Sequence, residues 1–287
     1  MRPRHLSLRI VTTVFFLATL NGCVNQDDAA GLSKLSDQAR ISLPKVSNDI
    51  AGTCARQNTL FDNTPTAERP AASKPLDCKP YQDLATQLAK DQNILLDYFD
   101  ALGKLASNKP LGYDASIDTN TAAISANSSL SASAVTAGTA AEGILKALAD
   151  AATRGYREKQ LDQLLIANDS AVQTLTQALK KVITGDYAVM LSNEESTLDN
   201  FYQGPMAAAK PDERLALILV QRQYAHDKTA LQSRKDAAAS YGKLMDSLAA
   251  LDAKLTQQAG QKANIKELTK QAMPIIESLR TTLAALQ

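Results

Sequence analysis

Apolar side chains recur along this chain in steps of three and four, the spacing that gathers them on one side of an α-helix. Leu84, Leu88, Leu95, Phe99, Leu102 and Leu105 form one such face. Lys79-Pro80-Tyr81 opens it, with Pro80 near the first turn where its missing N–H does no harm. The turn-forming NKPLGYD at 108–114 closes it. Upstream, Leu35, Ala39, Val46, Ile50 and Cys54 predict a helix over residues 32–55, weakened at Pro44. Between the two, Pro65, Pro70 and Pro75 predict a loop across 54–78.

Residues 115–141 are mostly Ala, Ser and Thr. They read either as a linker or as a helix with a small-residue face. Ile117, Ile124, Leu130, Val135, Ile144 and Leu148 keep helical spacing with no Pro among them, which favours the helix. A clearer stripe follows: Leu161, Leu164, Leu165, Val172, Leu175, Leu179, Val182 and Ile183. Thr184-Gly185-Asp186 is expected to end it, with Gly185 in a left-handed C-terminal position. A shorter helix is expected over 187–202, broken at Gly204-Pro205. Pro211-Asp212-Glu213 then has the chemistry of a helix start, proline in the first turn and acids at the positive end. From there to Ala259 no proline intervenes, so a helix of about 48 residues, roughly 70 Å long, is expected. Tyr241, Leu244, Leu248, Leu251 and Leu255 repeat within it at heptad spacing. After a turn at Gly260, Ile265, Leu268, Ala272, Ile275, Ile276, Leu279, Leu283 and Leu286 predict a last helix, kinked at Pro274.

Six or seven such helices, several long and joined by short turns, predict an all-α fold: an elongated antiparallel helical bundle with long coiled-coil-like helices. Composition agrees. Trp is absent, aromatics are 5% of residues and Gly only 12 of 287, while Ala and Leu abound. That mixture favours helices over strands.

The first 22 residues follow a different pattern. Arg2, Arg4 and Arg9 precede a mainly apolar run from Ile10 to Leu20, the right length for a signal peptide and too short to span a bilayer. Leu20-Asn21-Gly22-Cys23 then closes it. This segment resembles the lipobox of bacterial lipoproteins, with Asn21 departing from the usual small residue. The resemblance covers residues 1–23 only. It implies cleavage between Gly22 and Cys23 and acylation of Cys23, whose two or three chains would give a stable hold on membrane lipid. Residues 23–31 then read as the lipidated N-terminus and a polar tether, and 32–287 as the helical domain. Val24 stands where inner-membrane lipoproteins of enteric bacteria typically carry Asp. By that resemblance the expected location is the outer membrane, facing the periplasm, with the inner membrane still open.

Processing changes the charge. Losing Arg2, Arg4 and Arg9 takes the 31 basic residues to 28 against 30 acidic ones. That balance gives no footprint for nucleic acid. With Cys23 acylated, Cys54 and Cys78 remain, and an oxidising compartment predicts one disulfide between them, a structural staple.

Candidate chemistry is sparse. His226 is the one histidine of the mature chain, and its polar neighbours in QRQYAHDKTA read as a solvated surface. No metal-binding cluster, nucleophile elbow or phosphate loop occurs, so no catalytic residue, metal ligand or cofactor is assigned. Glu194-Glu195 point about 100° apart on a helix, a poor acid/base pair, and read as a cap or a solvated face. Asp91, Asp97 and Asp100 likewise read as a solvated face. The eight tyrosines read as core or bundle-edge packing, with a ligand pocket as the other possibility. The expected function is therefore a non-enzymatic scaffold or interaction subunit with an unidentified envelope protein partner. The alternative is a carrier of a small ligand or peptide between helices, and the third class is a cell-wall-directed enzyme.

Overall fold

A computed structural model describes residues 26–65, 74–107, 131–153 and 158–259, with single positions at 69, 109, 111 and 274. Six long helices account for nearly all of it: α1 Gln26–Asn63, α2 Lys79–Ala106, α3 Ala132–Thr153, α4 Glu158–Lys181, α5 Ala188–Ala208 and α6 Arg214–Ala259. A π-helical turn, Val182–Tyr187, joins α4 to α5, and a 3-10 turn, Pro211–Glu213, leads into α6. No strand occurs among the described residues. The fold is an all-α helical bundle.

α1 and α2, α3 and α4, and α5 and α6 are antiparallel pairs, whereas α4 continues through the π-helical turn into α5. Arg40 meets Asp97, Ser47 meets Gln92, and Cys54 is bonded to Cys78, which sets α1 against α2. Tyr202 meets Asp227 and Glu194 meets Arg234, which sets α5 against α6. α6 also runs antiparallel to α4, through Lys180–Asp246 and Gln173 on the Ala249 carbonyl. Yet α6 is parallel to α2, because Gln92 pairs with Tyr241 and Tyr98 with Asp252. α3 starts at the level where α2 began, with Ser131 beside Pro80 and Tyr81, so these two helices are parallel as well.

The core is aliphatic and continuous. α1 contributes Leu32, Leu35, Ala39, Leu43, Val46, Ile50 and Cys54, in steps of three and four. α2 packs against α1, α3 and α4 together, so it buries residues on most of its circumference and leaves only the face of Gln82, Thr86 and Asn93 exposed. Leu95, Leu96, Asp97, Tyr98 and Phe99 are buried in succession. On α6 the expected Tyr241, Leu244, Leu248, Leu251 and Leu255 are all buried. Gly103 lets α1 approach closely: a Cβ there would lie 2.7 Å from Ser33 Oγ and 2.9 Å from Ser33 N.

Several boundaries differ from expectation. α1 begins at Gln26, so the segment read as a tether becomes helical at its fourth residue. It also runs past Cys54 to Asn63, with Pro44 inside it, which shortens the proline-rich loop. Val135, expected on the buried face of its helix, is exposed, and the small residues Ala134, Ala137 and Ala141 pack inward instead. Gly185 does not end a helix. Leu175, Leu179, Ile183, Tyr187 and Leu191 are spaced by four, which in a regular α-helix drifts about 40° per step. The wide π-helical turn absorbs that drift and keeps all five inward. Gly204-Pro205 does not break α5 either, because Pro205 falls in its last turn before the helix stops at Ala208. The expected turn at 112–114, the spacing through Ile117, Ile124 and Leu130, and the last helix from Ile265 to Leu286 lie outside the described residues.

Candidate functional site

The densest polar cluster sits where α1, the π-helical turn, α5 and α6 meet. Arg56, on the last turns of α1, forks between two carboxylates. Its guanidinium donates to Asp49 Oδ1 and Oδ2 at 2.8 and 2.9 Å, and to Glu194 Oε1 and Oε2 at 2.6 and 3.1 Å. Arg234 of α6 donates to Glu194 Oε1 at 2.7 Å and places its Nε 3.7 Å from Asp49 Oδ2. Tyr187 closes the set, its hydroxyl donating to Asp49 Oδ2. The π-helical turn makes this possible, because it keeps Tyr187 directed inward two turns before Glu194.

The electrostatics are those of a lock. Glu194 is 3% exposed and held between two guanidinium groups. Burial disfavours the charge on Arg56, but hydrogen bonds to Glu194 and Asp49 outweigh it and raise its pKa. Burial, then the hydrogen bond to Asp49, pushes the Tyr187 hydroxyl upward too. Arg56 and Tyr187 thus hold their protons tightly. A hollow of about 220 Å³ lies beside it, lined by Arg56, Thr59, Leu60, Glu194, Leu198 and Arg234. That is below the size of ordinary small-molecule pockets. Larger hollows, about 500 Å³ between α3 and α4 and about 470 Å³ beside Tyr81, are open surface grooves.

Two further polar contacts cross the core. Ser47 donates to Gln92, which donates to Tyr241, so one thread ties α1 to α2 to α6. Tyr98 donates to Asp252 Oδ1 at 2.6 Å, while Asp252 Oδ2 is buried without a partner. Burial raises the Asp252 carboxyl to about 7, and Asp91 rises to about 7 for the same reason.

Comparison with protein-family models, curated proteins and solved structures finds no match.

Gly22 and Cys23 lie outside the described residues. Cys54 and Cys78 form the expected disulfide, with Cα atoms 5.6 Å apart. His226 is surface-exposed on α6. Glu194 and Glu195 do diverge, but neither is merely solvated. Glu194 enters the Arg56–Arg234 lock, and Glu195 pairs with Lys228 and Lys235, which hold its carboxyl down at about 2. Asp91 and Asp97 are buried rather than solvated, because α2 is surrounded on most sides. Asp97 pairs with Arg40, and Asp100 with Lys104. Tyr98, Tyr187 and Tyr241 are fully buried, as packing residues would be. Asp49, Arg56, Arg234 and Asp252 were not singled out by the sequence pattern. For Asp252 a signal existed: it interrupts the inward series Tyr241, Met245, Leu248, Leu255 and Ala259.

Proposed function

We propose that this chain is a lipid-anchored, periplasm-facing lipoprotein of the bacterial outer membrane that acts as a non-enzymatic scaffold or protein-interaction subunit. The observation that carries the reading is the separation of the two ends of the bundle. Ser33, near the start of α1, lies against Gly103 at the end of α2 that runs alongside the C-terminal end of α6. The α5–α6 hairpin lies at the opposite pole, nearly the whole 46-residue length of α6 away, or about 65 Å. An acylated Cys23 three residues before Gln26 would hold the first pole at the membrane and present the second at a distance. The filled core and the locked polar cluster suit a rigid spacer better than a carrier or a hydrolase.

The test is crosslinking and pull-down of the lipidated protein from its own envelope, with a Cys23→Ala copy as control. A defined partner that is lost in the control supports an anchored assembly subunit. Equal function and equal partner capture by the unanchored copy would refute the role of the anchor. Fractionation of the same cells distinguishes outer from inner membrane.

A further inference from the structure

The pole formed by α5 and α6 carries an uncovered apolar stripe. Leu215 is 72% exposed, Ile218 37% and Leu219 57%, and the three share one face of α6 at the spacing of helix-docking anchors. The inner face of the same turns is different: Leu217, Val220 and Tyr224 turn toward α5 and are half-buried. Ala259, where α6 ends, lies at the other pole.

Charge identifies what covers the stripe. Asp212 flanks it on the N-terminal side and Arg222 on the C-terminal side, and both are exposed. Neither forms an ion pair with any described residue. The stripe is self-complementary. Leu215 and Leu219 are centred on position 217, and so are Asp212 and Arg222. A two-fold axis at Leu217, with two α6 helices antiparallel, sets Leu215 of one copy against Leu219 of the other, twice. The same operation brings Asp212 opposite Arg222, twice, about 15 Å apart along the helix. Of the other charges of these turns, Glu213 and Arg214 fall at the levels of Gln221 and Val220 of the second copy, so no like charge stands at the same level. A parallel arrangement would instead stack Arg222 on Arg222. Glu213 is already engaged, accepting the Lys210 backbone N–H at 2.9 Å.

We propose that a second copy of this chain docks here, joining two bundles tip to tip through Leu215, Ile218 and Leu219 with reciprocal Asp212–Arg222 pairs. The stripe offers a few hundred Å² per copy, short of the roughly 800 Å² of a standard stable interface, so the dimer is weak and concentration-dependent. The inference does not depend on the lipid anchor.

Sedimentation velocity of the Cys23→Ala mature chain over a wide concentration range tests it. A reversible monomer–dimer equilibrium is expected, lost in Leu215→Ser/Leu219→Ser. Asp212→Arg or Arg222→Asp alone should weaken it roughly tenfold, and the two reversals combined in one chain should restore it. These positions are exposed, so circular dichroism should stay unchanged. Direction is read separately: Leu215→Cys and Leu219→Cys copies, mixed and oxidised, should crosslink to each other in preference to themselves. A monomer at every concentration, no rescue by the double reversal, or preferential self-crosslinking overturns the proposal.

Discussion

Asp252 and Asp91 make the stability of the bundle depend on pH in a direction opposite to ordinary acid denaturation. Both carboxyls are buried, and burial raises each from 3.8 to about 7. Asp252 faces Tyr98 on α2, which donates to Oδ1, and Asp169 on α4, a like charge that raises it further. Asp91 receives a hydrogen bond from Gln87 and lies near Lys90, both on its own helix, and near Tyr241 on α6. The folded state therefore binds protons more tightly than the unfolded chain. The stability associated with these groups is complete below pH 4, is lost as pH rises toward 7, and is constant above. At 1.36 kcal/mol per pH unit the full range is about 4 kcal/mol for each carboxyl. Asp97, also raised by burial, adds in the same sense. Glu195 acts oppositely, but its range lies below pH 4.5 and its position is solvent-screened. Urea unfolding of the Cys23→Ala chain at pH 5, 6, 7 and 8 measures the slope. Stability should fall by about 1 kcal/mol or more per pH unit between 5 and 7. Asp252→Asn keeps an acceptor for Tyr98 and removes the titration, so it should flatten the slope and raise stability at pH 8. A wild-type profile that rises with pH, or an Asp252→Asn slope equal to wild type, would refute the reasoning.

Three other perturbations test the packing. Glu194→Ala removes the carboxylate that Arg56 and Arg234 share, leaving Arg56 only the carboxylate of Asp49, and should cost about 2–3 kcal/mol in denaturant unfolding. Gly103→Ala places a methyl group 2.7 Å from Ser33 Oγ and forces α1 away from α2. A loss of about 1–3 kcal/mol, seen as a lower melting temperature, is expected. Cys54→Ser/Cys78→Ser opens a link between residues 24 apart and should lower stability by about 2–4 kcal/mol, while far-ultraviolet circular dichroism stays helical.

Most of the architecture was readable because amphipathic spacing reports which side of a helix is buried. The stripes of α1 and α6 were found in sequence for that reason, and so was the entry to α6 at Pro211, whose first turn is 3-10. What failed was punctuation. Gly185, Gly204 and Pro205 are strong local stop signals, but a stop is optional when the continuing helix still buries its next apolar residues. Gly185 and Gly204 have open space around the Cβ position, so neither a turn nor a close approach requires glycine there. Burial of Tyr187, Leu191, Leu198 and Tyr202 decides the matter at Gly185, whereas beyond Gly204 the helix buries nothing further and stops at Ala208.

The polar lock was hidden for a different reason. Its members come from four elements, and Asp49 and Glu194 stand 145 positions apart, so no local window contains them. Each looks like an ordinary surface charge until the π-helical turn fixes the phase between α4 and α5. If α4 ran into α5 as a regular helix, each residue beyond the junction would be rotated relative to those before it. Glu194 would then leave Arg56 and Arg234, and both guanidinium groups would lose the carboxylate they share. The wide turn and the lock therefore stand or fall together, which gives this otherwise aliphatic bundle one specified alignment of α1, α5 and α6 at the base of its projecting pole.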